Sequence, residues 1–153
     1  MNSDLLQTLT AILAIVFSVI SLTVTVISVI WTVKQVKSST YERIRGRLFE
    51  LNKIEVEHPD IFQSLNNEIS EDWLKQGGRG HYLFMFFSFY EEIFVQRQKF
   101  RLIGEDEYQV WKNRLLNNLL TRKAVRSYWD KYYSKEARPD FQTYIAELIK
   151  HSP

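Results

Sequence analysis

Few residues in this chain have the type and spacing to do chemistry. His58, His81 and His151 are scattered, and there is no Cys. Without a thiol the chain can make no disulfide, zinc-thiolate site, iron–sulfur cluster or cysteine nucleophile. Glu91 and Glu92 are adjacent. Neighbours on a helix diverge by about 100°, so these two carboxylates cannot act as a catalytic pair. The reading they favour is structural, with one of them facing the core and paired with an Arg. "QGGRG" at 76–80 lacks the lysine and spacing of a phosphate-binding loop and reads as a linker. His81, just after it, reads as a helix-start residue rather than a ligand. No catalytic, metal or cofactor site is expected.

The most ordered polar pattern lies in an unexpected place. "AILAIVFSVISLTVTVISVIWT" at 11–32 holds eight Ala, Ser or Thr residues. Seven of them, Ala11, Ala14, Ser18, Ser21, Thr25, Ser28 and Thr32, step alternately by 3 and 4; only Thr23 falls off the frame. The frame continues outward to Gln7 and Gln35. Small residues let helix backbones approach closely, and hydroxyls can bond across the contact. A 3.5-residue repeat also predicts left-handed supercoiling. The stripe therefore reads as an interface with other copies of the chain. In a ring of helices it could instead line a water-filled axis. The plainer alternative has each hydroxyl bonding its own carbonyl four residues back while facing lipid.

The element that must position this stripe is a membrane helix. From Leu5 to Val33 nothing is charged, and the run contains no Gly or Pro. As a helix it is roughly 40 Å long, enough to cross roughly 30 Å of hydrocarbon. The Ile, Leu, Val and Phe residues between 11 and 32 favour insertion by about 4–8 kcal/mol. A cleaved signal peptide fits poorly, because the start carries Asp4 and no base, and the core is too long. "LTVTVISVI" alternates like a strand, but a lone strand in lipid leaves its backbone unpaired, whereas a helix satisfies it internally. Every Lys and Arg lies at or after Lys34. Lys34, Lys37, Arg43, Arg45 and Arg47 follow the span and predict an inner-membrane protein with its N-terminus outside and its body cytoplasmic. These five bases also sit where anionic lipid headgroups would be, with roughly 1 kcal/mol available per base.

The remainder reads as a small helical body. With 153 residues in all, one soluble domain at most is expected beside the span. The net charge of +2 excludes nothing. The predicted organisation is an external N-terminus (1–4), a transmembrane helix (5–33), a basic stalk helix (34–58) and a cytosolic helical domain (59–153). Tyr41, Ile44, Leu48 and Leu51 step by 3, 4 and 3, so the stalk continues the span, broken at most near Ser38–Thr40, and stops before Pro59. Residues 60–67 can form a short helix. "HYLFMFFSFYEEIFVQRQKFR" at 81–101 is too short an apolar run to cross a bilayer and reads as a buried core helix. "EDEYQVWKNRLLNNLLTR" is amphipathic, with Tyr108, Trp111, Leu115 and Leu119 on one face. "KAVRSYWDKYY" and "PDFQTYIAELIKH" complete an all-α set. Trp73, Trp111, Trp129, Tyr132, Tyr133, Phe141 and Tyr144 read as core rather than as a nucleic-acid stacking platform, because they fall on helices.

Three stretches, "FSFYEEIFVQRQ", "LIGEDEYQVWKNRLL" and "SYWDKYY…FQTYI", give residues 81–145 a loose resemblance to small bacterial membrane proteins with one N-terminal span and a helical cytosolic domain. In layout the chain also resembles the accessory membrane proteins of type VI-B CRISPR systems. That resemblance implies a ring-shaped oligomeric pore, a degenerate HEPN-like helical domain and a role in anti-phage defence. The HEPN ribonuclease motif separates an Arg from a His by four to six intervening residues, and residues 51–53, 74–76 and 144–146 hold no Arg. The expectation is thus a non-enzymatic, homo-oligomeric single-pass protein in contact with membrane lipid. The alternative is a membrane-tethered adaptor for a cytosolic protein partner.

Overall fold

The computed structural model describes residues 3–76 and 78–150. The first two residues of the expected external N-terminus, and His151, lie outside the described residues. The chain is all-α, with no strand among the described residues. In order the helices are α1 (Ser3–Glu57), α2 (Pro59–Ser64), α3 (Glu71–Lys75), α4 (Arg79–Gln98), α5 (Glu105–Thr121), α6 (Lys123–Lys131) and α7 (Pro139–Lys150). A single 3-10 turn, Tyr133–Lys135, separates the last two. Two compact units divide the chain between Thr40 and Tyr41.

The first unit is the N-terminal part of α1. Its most apolar 18-residue window has a mean hydropathy of 2.6 and buries nothing against the rest of the chain. Phe17 is 68% and Trp31 64% exposed. An exposed apolar face of this length is of the kind that a bilayer or another chain can cover. The helix is thus a candidate membrane span by length and composition. No break occurs at 38–40.

The second unit is built around α4. Tyr82, Leu83, Phe86, Phe87, Phe89, Tyr90, Ile93 and Phe94 are all buried, so this helix is covered on nearly every side. Phe87 lies at its centre, with ring centroids 5.3 Å from Trp129 and 5.2 Å from Tyr133. Phe94 meets Phe141 at 5.4 Å and Tyr144 at 4.8 Å. From α5 the face Tyr108, Leu115 and Leu119 is buried, with Trp111 half-buried against the same core. Helices α6 and α7 contribute Val125, Trp129, Phe141 and Ile145. The backbone N–H of Ala124 donates to the Leu65 carbonyl at 2.9 Å and ties the start of α6 to the segment after α2.

One boundary differs from the sequence expectation. The residues read as a stalk over 34–58 divide, and Tyr41 to Glu57 belong to the body. Ile44 and Leu51 are core residues, with Leu48 and Ile54 packed against them. The apolar spacing that suggested a stalk is the spacing of a helix covered by a domain. Helix α3 was not anticipated either. Ser70 caps it by accepting from the Trp73 N–H at 3.1 Å, and Glu71 and Asp72 occupy its first turn. The "QGGRG" linker has two conformational demands. Gly78 sits at φ +76°, and a Cβ at Gly80 would lie 3.1 Å from the Leu74 carbonyl oxygen.

Candidate functional site

All seven stripe residues, Ala11, Ala14, Ser18, Ser21, Thr25, Ser28 and Thr32, are exposed on α1. A 3.5-residue repeat on a 3.6-residue helix drifts by about 20° per heptad, so they hold one slowly turning face. Their hydroxyls fall into two groups. The Thr25 hydroxyl donates to the Ser21 carbonyl and that of Thr32 to the Ser28 carbonyl, both at 2.9 Å. Off the stripe, Thr10 and Thr23 make the same local bond. These four threonines thus satisfy themselves within the helix, on the stripe and off it. Ser18, Ser21 and Ser28 make no hydroxyl bond among the described residues, and their small side chains leave the helix surface open to close approach.

The basic residues after the span separate by partner. Lys34 lies 5.9 Å from the Trp31 ring centroid. Arg43 Nε is 2.7 Å and Arg47 Nη1 2.6 Å from the two carboxylate oxygens of Glu92, whose side chain is 15% exposed. Two of the five bases read as headgroup contacts are therefore joined to α4, their guanidinium ends still half-exposed. Lys37 and Arg45 are exposed.

The acidic neighbours diverge as helical geometry requires. Glu92 takes the two arginines. Glu91 accepts from the Tyr133 hydroxyl at 2.8 Å and from the Arg138 backbone N–H at 3.0 Å, pinning the turn before α7. Burial, then the hydrogen bond to Glu91, pushes the Tyr133 phenol well above its ordinary range. Both carboxylates have structural partners. His81 is the third residue of α4. Among the described residues no three His, Asp or Glu side chains gather as a metal site would require.

Sequence reasoning overlooked a polar cleft in the body. Glu55 accepts from the Tyr82 hydroxyl at 2.6 Å. Beside this pair a cleft of about 320 Å³ opens, lined by α1, α4, α5 and the residues around them, Arg114 and Arg122 included. The spacing of Arg114, Asn118 and Arg122, i, i+4 and i+8, was the available signal for one polar face. Its juxtaposition with Glu55 depends on tertiary packing alone.

Together the long apolar helix and the packed helical body define an all-α protein with one candidate membrane span. Comparison with protein-family models, with curated proteins and with solved structures finds no match.

Proposed function

We propose that this chain is a non-enzymatic single-pass membrane protein, N-terminus outside and body in the cytoplasm, that associates with copies of itself through α1. The observation that carries the reading is the exposed small-residue face on the stretch of α1 from Leu5 to Val33, which holds no charge. Ser18, Ser21 and Ser28 supply close approach and spare hydroxyls at one-face spacing, and apolar residues flank them. Orientation rests on the five bases that follow the span and the absence of any before it.

The test is the oligomeric state in nanodiscs. Ser21→Leu with Ser28→Leu is expected to shift the population toward monomer, because bulk replaces close backbone contact. Val19→Leu with Val26→Leu, off the frame, is the matched control. Equal assembly by both double variants refutes the interface.

In the form that the resemblance implies, the assembled stripe encloses a lumen and the protein acts as a membrane pore in anti-phage defence. Single cysteines at Ser18, Ser21, Thr25 and Ser28 then react with small water-soluble thiol reagents, and expression collapses membrane potential. Protected cysteines in a proven oligomer, with no leak, leave the tethered adaptor as the function. The lack of native Cys keeps the labelling background clean.

A further inference from the structure

The cleft beside Glu55 is unusually rich in donors. Arg114 and Arg122 both line it, and neither forms an ion pair among the described residues. Arg122 lies with its guanidinium carbon 3.9 Å from the Phe62 ring centroid, and its Nη1 is buried with no acceptor. A buried donor without a partner is costly, the more so when it is charged, so an acceptor supplied from outside would be favoured. Arg114 is held over Trp111 at 5.6 Å. Asn52 from α1 and Asn117 from α5 add side-chain amides that make no hydrogen bond among the described residues. The Tyr90 hydroxyl is a further donor; burial pushes its pKa far above the ordinary range and keeps it protonated. The single carboxylate on the lining is Glu55, and one of its oxygens is already engaged by Tyr82.

We infer that this cleft binds a small organic phosphate monoester. Two guanidinium groups and the amides offer more donors than the two oxygens of a carboxylate can use; three terminal phosphate oxygens match them better. The volume exceeds what inorganic phosphate fills and falls at the lower end of small-molecule sites. Phe62 and Phe89 form an apolar wall for the organic part. The free oxygen of Glu55 can accept from a hydroxyl or amino group on it. This site does not depend on self-association of α1.

The phosphate can come from a soluble metabolite or from a phosphatidate headgroup, and the experiment separates them. The full chain in phosphatidylcholine nanodiscs is titrated calorimetrically with AMP, GMP, CMP and UMP, with the four nucleosides as controls. A second set of nanodiscs contains phosphatidate. At least one nucleotide is expected to bind with a dissociation constant below about 1 mM while its nucleoside does not. Loss of that binding in phosphatidate nanodiscs makes the lipid the occupant, and retained binding makes it a soluble ester. Arg114→Gln, at an exposed position, is expected to weaken the interaction about ten-fold by removing one charge-assisted contact. Arg122→Lys is expected to bind better than Arg122→Gln, and circular dichroism checks that each variant is folded. Nucleotides that bind no better than nucleosides, or an Arg114→Gln protein that binds like the native chain, overturn the inference.

Discussion

Glu92→Gln is the sharpest test of how the C-terminal part of α1 is fixed to α4 within the body. The native carboxylate receives Arg43 at 2.7 Å and Arg47 at 2.6 Å, and its side chain is largely buried. Both are ion-pair contacts, with no hydrogen bond reaching the buried Glu92 Oε2, and such a pair contributes about 1 kcal/mol when exposed and about 3–5 kcal/mol when buried. Both arginines are half-exposed, so water and salt screen each contact toward the lower end. Two contacts at about 1 kcal/mol each give a loss of about 2 kcal/mol. Glutamine has nearly the same volume, so no cavity term enters. Its amide group also turns a donor toward one guanidinium, and that face of the contact becomes repulsive.

The assay is urea unfolding of the detergent-solubilised chain, followed by circular dichroism. A lower midpoint at unchanged slope is expected. Arg43→Gln and Arg47→Gln should each destabilise the native protein and have little effect in the Glu92→Gln background, because their partner is already gone. A Glu92→Gln midpoint within about 0.5 kcal/mol of native refutes the reasoning. So would additive losses in the double variants, since independent sites add. Either result would return Arg43 and Arg47 to the lipid headgroups.

Phe87→Ala should destabilise the body by about 3–5 kcal/mol, because a buried ring at the centre of the aromatic cluster is replaced by a cavity; urea unfolding measures it. Phe49→Ser, at a position 70% exposed on the far side of α1, should change stability by less than about 0.5 kcal/mol in the same assay. Tyr82, Tyr90, Tyr133 and Tyr144 all have phenol pKa values raised above 10.0, chiefly by burial. Their contribution is full below the unfolded value of 10.0 and is lost as pH rises beyond it toward the folded values. Tyrosinate absorbance should therefore rise together with loss of helical signal on alkaline titration; ionisation of all the tyrosines near pH 10.0 in still-folded protein contradicts the burial. A reporter fused after Pro153 should be cytoplasmic, because bases follow the span and none precedes it; a reporter outside reverses the topology.

Much of this fold was legible in the sequence because its periodicities are strong. The face of α5 follows from apolar residues at helical spacing, and Pro59 and Pro139 mark a stop and a start. The divergence of Glu91 and Glu92 follows from 100° per residue, and each found a structural partner. Other features depend on tertiary context. The run from Tyr41 to Leu51 has the same helical period whether it stands free as a stalk or packs in a domain, so its placement in the body could not be read from spacing. Helix α3 is five residues long, too short for a period to show. Glu55 meets Tyr82 across 27 residues of chain, and the polar cleft exists only because α1, α4 and α5 pack together.

Helix α1 carries two apolar patterns that do not compete. The body buries Ile44 and Leu51 and half-covers Leu48. Continuing the alternating steps of 3 and 4 from Thr32 leads instead to Gln35, Ser39, Glu42, Gly46, Phe49, Lys53 and Val56, and every one of these is exposed. Phe49 and Val56, at 70% and 80%, are among the most exposed large apolar residues in the chain. From Ile44 to Phe49 is five residues, a turn of about 140°, so within the body Phe49 and Val56 stand on the side of the helix turned away from the core. Phe49→Ser is therefore read without disturbing the core that Ile44 and Leu51 help to fill.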